Sequence, residues 1–314
     1  MNKRVAIIGE CMLELTRDTS VSGSANLPMN LSYGGDTLNT AVYMARLGAE
    51  VDYFTALGDD PYSDWMIEQW QTESIGCASV VRVPGRLPGI YSIETDSSGE
   101  RSFHYWRDQA PARELFDEFE RRCELFEQLM AYDLIYLSGI TLSLYKPSCL
   151  DALFAFLNVY RKKGGIVVFD GNFRPARWPD LAYARDIYTK MYQLTDIALP
   201  TLEDEQLLYL TDSAKDVVVR LQACGVTEIV LKKGAEGCLT VFEGETEEVQ
   251  ANIVDNVVDT TAAGDSFNAA YLAARIKEQP CSEAAVAGHD LAGLVIQHPG
   301  AAIPKSAHRE LSAN

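Results

Sequence analysis

The 314-residue chain reads as an α/β protein, a doubly wound, largely parallel sheet with helices on both faces and a small β lid. Three observations lead there. Short uninterrupted apolar runs recur along the chain, as strands buried on both faces require. Segments with apolar residues at three- and four-residue spacing fall between them, the alternation that helical crossovers between parallel strands produce. One stretch, 78–107, departs from this rhythm and reads as consecutive short strands around a turn.

Val5–Ile8, closed by Gly9, is the first buried strand. Residues 36–47 form a helix in which Asp36 or Thr37 caps, Leu38, Ala41, Val42 and Ala45 share a face, and Gly48 marks the stop. Val51–Thr55 is the next strand, followed by the loop Gly58-Asp59-Asp60-Pro61. Residues 78–83, 89–95 and 101–107 read as short strands, with Asp96-Ser97-Ser98-Gly99 as the turn between the last two. Alternation there puts Phe103, Tyr105 and Arg107 on one face. An isolated hairpin is marginal in water, so this element is expected to pack over the strand ends and against a second subunit. Strands at Leu134–Leu137, Ile166–Phe169, Ile197–Leu199 and Ile229–Leu231 then alternate with helices near 148–162, 182–194 and 203–223. No repeat or low-complexity linker interrupts the chain. Residues 1–314 therefore read as a single domain, with the lid inserted from segments near 11–33 and 78–111.

Charge narrows the function. The chain carries 27 Lys and Arg against 45 Asp and Glu, a net −18, a field that repels nucleic acid. A small anion can bind only where a few cations or a helix N-terminus reverse that field locally. There is no apolar run of membrane-spanning length and no secretory signal pattern, so a cytoplasmic protein without membrane contact is expected. The seven cysteines (Cys11, Cys77, Cys123, Cys149, Cys224, Cys238 and Cys281) include no C-x-x-C pair and read as reduced thiols. His104, His289, His298 and His308 lack metal-ligand spacing, so no zinc site is expected.

The sharpest local signal is Asp259-Thr260-Thr261-Ala262-Ala263-Gly264-Asp265-Ser266-Phe267. Its small residues lead into a helix carrying Ala269, Ala270, Leu272, Ala273 and Ile276, which offers free N–H groups at a positive helix end to an oxyanion or phosphate. Asp265 in that first turn is either a dipole-stabilising acid or a general base. No Walker loop and no G-x-G-x-x-G is present, which disfavours a P-loop NTPase and a nicotinamide dehydrogenase.

This segment resembles the C-terminal D-T-x-G-A-G-D signature of the ribokinase-like (PfkB-type) sugar kinases. Tyr33-Gly34-Gly35-Asp36-Thr37-Leu38-Asn39-Thr40-Ala41, Ala45-Arg46-Leu47-Gly48 and Leu57-Gly58-Asp59-Asp60 are similar to their N-terminal signature, in the expected order. The resemblance implies a ribokinase-like fold over about 300 residues and transfer of the ATP γ-phosphate to a sugar hydroxyl. Asp265 would be the base, and the N–H groups of Ala262, Ala263, Gly264 and Asp265 would hold the developing charge. Asn172, Lys232, Gly234, Gly237, Ala263 and Gly264 would border the nucleotide. Lys232 or Lys233 would meet phosphate, unless either is simply a solvated lysine after a strand. Mg²⁺ would be held through water near Glu203 or Asp204, where Thr201-Leu202-Glu203-Asp204 matches the family's N-x-x-E poorly. A monovalent cation such as K⁺ would sit among the carbonyls of 255–261. Ala262 stands where the common pattern has Gly, and it is strained if the position needs a left-handed backbone.

The lid narrows the substrate. Gly99-Glu100-Arg101-Ser102-Phe103-His104-Tyr105-Trp106-Arg107 and Phe173-Arg174-Pro175 resemble the corresponding segments of family members that act on 2-keto-3-deoxygluconate. Two guanidinium groups and two phenols suit a carboxylate with hydroxyls. The resemblance thus implies that Arg107 and Arg174 hold the carboxylate end, Tyr91 and Tyr105 the keto and hydroxyl region, Gly34, Gly35 and Asn39 the distal hydroxyls, and Asp265 the C6 hydroxyl. Trp106 and His104, on the other strand face, read as packing or subunit contacts in a homodimer. The alternatives are a kinase for a neutral ketose such as fructose or for another sugar acid, and a non-catalytic nucleotide or sugar sensor.

Overall fold

In a computed structural model, residues 3–17, 27–95, 101–210 and 213–307 are described. The strands are β1 (Arg4–Ile8), β2 (Met12–Arg17), β3 (Met29–Gly34), β4 (Glu50–Phe54), β5 (Ala56–Gly58), β6 (Val81–Val83), β7 (Ile90–Thr95), β8 (Arg101–Trp106), β9 (Leu134–Ser138), β10 (Ile166–Asp170), β11 (Ile197–Ala198), β12 (Glu228–Lys232), β13 (Cys238–Phe242) and β14 (Glu245–Val249). The helices are α1 (Asp36–Arg46), α2 (Pro61–Thr72), α3 (Phe119–Leu129), α4 (Gly139–Leu142), α5 (Pro147–Lys162), α6 (Leu181–Tyr192), α7 (Leu202–Tyr209), α8 (Ala214–Ala223), α9 (Ala263–Ile276) and α10 (Cys281–Val295).

The main sheet has the order β14-β13-β12-β11-β10-β9-β1-β4. From β12 to β4 every pairing is parallel, and β13 and β14 add an antiparallel margin. The side-chain period of two sorts each strand between two cores. Ala6, Ile8, Ile135, Leu137, Val167 and Phe169 pack with α3, α5, α6 and α8 on one face. Val5, Ile7, Leu134, Tyr136, Val168 and Val230 pack with α1, α2, α9 and α10 on the other. Both faces are covered, which is why these strands read as continuous apolar runs.

A second sheet, β3-β2-β7-β8, is separate. The strand expected over 78–83 shortens to β6 and does not join it. It pairs instead with β5, because Val81 N–H meets the Thr55 carbonyl where the chain leaves β4. The turn expected over 96–99, the stretch 18–26 of the expected lid segment, and His308 lie outside the described residues.

Two further expectations need correction. The helix expected over 203–223 is two helices. Leu210, with φ 54°, ends α7 in the left-handed region, and the Ser213 side chain accepts from Asp216 N–H to start α8. Neither Asp36 nor Thr37 caps α1. Gly35 occupies that position, while the Asp36 carboxylate turns to Asn172 and Thr37 lies buried beside Gly9. Among the described residues no helix is long and apolar enough to cross a membrane, and all seven cysteines are free thiols.

Candidate active site

The predicted residues gather at the carboxyl ends of the parallel strands, where open α/β sheets bind ligands. β1 ends beside Glu10, β10 ends at Asp170, β12 ends at Lys232, and the first turn of α9 reaches the same place. Asn39 Nδ2 donates to Asp265 Oδ2 at 2.8 Å, which ties the N-terminal glycine-rich segment to the C-terminal signature. Burial pushes the Asp265 carboxyl from its ordinary 3.8 up to about 8. The negative charge of Asp36 adds to the rise, and the Asn39 hydrogen bond opposes it.

Behind Asp265 lies a buried polar network in which the expected Lys232 meets three residues that the sequence reading did not single out, Asn268, Asp170 and Tyr136. Lys232 Nζ donates to Asn268 Oδ1 at 2.9 Å and to Asp170 Oδ1 at 3.3 Å. Asn268 Nδ2 donates to Asp170 Oδ2 at 2.9 Å and to the Tyr136 hydroxyl at 3.1 Å. Asn268 was findable, since it follows Asp265 by three positions on α9 and so shares its face. Asp170 and Tyr136 were hidden inside apolar runs. Lys232 is buried, so the solvated-lysine alternative is wrong. Its ammonium lies 3.7 Å from where a Cβ on Gly264 would be, at the head of α9. Lys233 is instead paired with Glu248 at 3.3 Å.

Ala262 is the N-cap of α9 with φ 60° and ψ 14°, so the position does require the left-handed backbone. The helix start leaves the N–H groups of Gly264 and Asp265 without helical acceptors. The Ala263 N–H donates to the Thr260 carbonyl at 3.2 Å and is thereby drawn away from the expected anion hole. Gly234 and Gly237 bound a short turn after β12, both at positive φ. A Cβ on Gly237 would strike the Val249 carbonyl at 2.1 Å, whereas Gly234 faces open space.

On the sugar side the structure gives the expected residues protein partners. Gly34 and Gly35 leave no room for a side chain, because added Cβ atoms would lie 2.4 Å from the Tyr91 hydroxyl and 2.2 Å from the Glu10 carbonyl. Tyr91 donates to the Glu14 carboxylate, and Ser32 Oγ donates to the same group at 2.9 Å, so Glu14 belongs to this wall as well. Arg107 is buried and ion-paired with buried Glu10, a partner absent from the sequence reading. Arg174 is exposed and pairs with Asp204 at 3.3 Å, so the two arginines do not converge through shared partners. Asn172 donates to Asp36 at 2.7 Å through one of its two amide hydrogens. Tyr105 packs at a tilt against Tyr91 with centroids 5.8 Å apart and stays half exposed. Trp106 is exposed, and His104 lies 3.8 Å from Glu94.

Asp204 and Glu203 are told apart by the fold. Glu203 is exposed on α7, whereas Asp204 accepts from Phe173 N–H and feels Arg174, Asp170 and Lys232. Among the described residues no three acidic, His or Cys side chains gather to hold a metal unaided. Asp204 fits a contact through water to a magnesium ion held mainly by phosphate oxygens, whereas both oxygens of Asp170 are engaged by Lys232 and Asn268. A cavity of about 420 Å³ opens at the opposite end of the sheet, but its Arg161 and Arg275 are already paired with Asp196 and Glu228.

The pfkB family carbohydrate kinase model matches residues 2–308. A 2-dehydro-3-deoxygluconokinase of Escherichia coli strain K12 is 42% identical over 314 residues, covering 98% of this chain and 99% of that protein. The crystal structure of a PfkB protein from Polaromonas sp. JS666 superposes with a TM-score of 0.85 at 22% identity, over 100% of both chains. A putative ribokinase II from Escherichia coli, in complex with ATP and Mg²⁺, superposes with a TM-score of 0.82 at 20% identity, again over 100% of both chains.

Proposed function

The chain belongs to the pfkB family of carbohydrate kinases, and from that premise we propose that it transfers the γ-phosphate of ATP to the C6 hydroxyl of 2-keto-3-deoxygluconate. The products are the 6-phosphate and ADP. The observation that carries this reading is the Asn39–Asp265 contact, which sets a carboxylate of raised proton affinity at the head of α9 beside Lys232. The near full-length identity to a 2-dehydro-3-deoxygluconokinase supports the substrate class.

In the reaction the sugar C6 oxygen attacks the γ-phosphorus, the bond to the β,γ-bridging oxygen breaks, and Asp265 takes the hydroxyl proton. Asn39 holds that carboxylate in place. The Gly264 and Asp265 N–H groups and the positive end of α9 face the charge that develops on the phosphoryl oxygens. Lys232, fixed by Asp170 and Asn268, adds a cation at the same point. Asp204 would hold magnesium through water, and the ion would supply neutralisation of the phosphate charge. Potassium belongs to the same proposal. The N–H groups of Val258 and Asp259 turn to the Ile296 carbonyl, and the loop around them keeps its carbonyls outside any helix or strand ladder.

We also read the four-stranded sheet as a lid and as the contact of a homodimer, because Leu31, Phe103, Tyr105 and Trp106 are 42–62% exposed on it. Free thiols and the need for ATP accord with a cytoplasmic location. The deciding test is ADP release with Mg-ATP across 2-keto-3-deoxygluconate, gluconate, fructose and ribose, with and without K⁺. Turnover confined to the keto-deoxy acid supports the proposal. Preference for fructose or ribose leaves a kinase with a different substrate, and no turnover on any sugar favours a sensing role.

A further inference from the structure

We propose that Glu14 sets the hydrogen-bond polarity of the lid: it accepts the phenolic proton of Tyr91, so that the Tyr91 oxygen selects a sugar hydroxyl, while Tyr105 keeps its proton for the keto oxygen. This rests on the reading of the chain as a kinase for a keto-deoxy sugar acid. In the four-stranded sheet Glu14 is the register partner of Ser32 on one side and of Tyr91 on the other, and Tyr91 is the partner of Tyr105. The four side chains therefore form one row on one face. Ser32 Oγ donates to Glu14 Oε1 at 2.9 Å and the Tyr91 hydroxyl donates to Oε2, so each carboxylate oxygen takes one donor. Tyr91 and Glu14 are both buried. Burial, with the Glu14 charge beside it, raises the proton affinity of the Tyr91 phenol, which keeps its hydrogen in that bond.

A phenol has one proton and two lone pairs. With that proton committed to Glu14, the Tyr91 oxygen presents only lone pairs to a ligand, and the bond to the carboxylate polarises it into a stronger acceptor. A sugar hydroxyl can donate to it, whereas a keto oxygen would set acceptor against acceptor. Tyr105 differs. Its hydroxyl has no hydrogen-bond partner among the described residues and its side chain is 53% exposed, so its proton is free to meet the keto oxygen. Contacts place the row on the sugar side. The Tyr91 hydroxyl lies against the Cβ position of Gly34, with Glu14 Oε2 3.5 Å from the same point. There β3 passes through Gly35 into α1, and one helical turn later Asn39 holds Asp265. Leu13, on the other face of β2, joins the core that packs with α1 and α2, whereas Met12, Tyr91 and Ile93 form a small cluster apart from both main cores. On that face a Cβ on Gly89 would meet Met12 Cγ at 3.0 Å and Arg107 Cβ at 3.1 Å, so the cation expected to hold the carboxylate end borders the same row.

The test is steady-state kinetics of wild type, Glu14→Gln and Tyr91→Phe on 2-keto-3-deoxygluconate and on its 4-deoxy-4-fluoro and 5-deoxy-5-fluoro analogues, with thermal melting to confirm that each variant folds. Fluorine fills the place of a hydroxyl but cannot donate. In wild type one analogue is expected to show a KM about 10- to 100-fold above that of the parent acid. Tyr91→Phe removes the acceptor, and Glu14→Gln offers one acceptor oxygen where the carboxylate offers two. Each is expected to raise the KM of the parent acid and to bring that analogue within about threefold of it, while the ATP KM stays within about twofold. Tyr91→Phe keeps the test available if Glu14→Gln does not fold. An equal rise for parent and analogues, as a merely structural role would give, overturns the inference while the activity stands. So do wild-type KM values within about threefold of the parent for both analogues. Wild type without turnover of the acid overturns the activity reading, and this inference with it.

Discussion

Replacing Ala262 by Gly tests the geometry of the α9 entrance directly. Ala262 lies at φ 60°, ψ 14°. An L-residue there costs roughly 1–2 kcal/mol over the right-handed region, and Gly escapes that cost. Gly carries its own penalty of roughly 0.5–1 kcal/mol, because its unfolded chain is freer. The difference leaves a net stabilisation of about 0.5–1 kcal/mol. Unfolding entropy of about 2.1 cal/mol/K per residue gives about 660 cal/mol/K for 314 residues, so Tm should rise by about 1 °C. Ala262→Val, β-branched in the same backbone, should move Tm the other way by about 2–3 °C, so the pair of variants spans a readily measured interval. Differential scanning calorimetry reads both, and Ala262→Gly should keep kcat within about twofold because the N–H groups of α9 stay where they are. A lower Tm for Ala262→Gly would refute the reasoning. A helical backbone at residue 262 would give that sign, since Gly is then about 1 kcal/mol worse than Ala.

Asp265→Asn should lower kcat by roughly 10²–10⁴, measured by coupled ADP release. In wild type, kcat/KM for the sugar should rise with pH and level off above about 8, because the carboxyl must lose its proton to act; a profile flat from pH 6 to 9 would contradict this. The same raised carboxyl binds its proton more tightly folded than unfolded, so its contribution to stability declines as pH rises from 3.8 through about 8, and Asp265→Asn should flatten that part of the Tm–pH curve. Lys232→Met should destabilise by about 3–5 kcal/mol, since it strands the buried Asp170 carboxylate, and denaturant titration reads the change. Trp106→Glu places charge on the exposed sheet and should turn a dimer into monomer by light scattering; a wild-type monomer would remove the dimer proposal.

Much of the architecture was legible because its signals are local. Val5–Ile8 and Ile166–Phe169 are apolar without interruption since helices cover both faces of their sheet. Asp265 was legible as an acid in the first turn of a helix entered through small residues, while its role as a base came from the resemblance to the family signature. The break at Leu210 was not, because a non-glycine residue at φ 54° leaves no mark in a helical pattern. Nor was the pairing of β6 with β5, which depends on where the chain emerges from β4.

Charged side chains mark the same boundary. Sequence by itself determined the parallel α/β sheet, the two signatures, the family to which they point and the acid at the head of α9, all encoded in contiguous residues and periodicity. Tertiary structure alone decided which cation meets which carboxylate: Arg107 meets Glu10, Arg174 meets Asp204, and Lys232 meets Asp170. Partners 97, 30 and 62 positions apart are chosen by the order in which strands assemble, because Coulomb and hydrogen-bond energies depend on distance in space and not on separation along the chain.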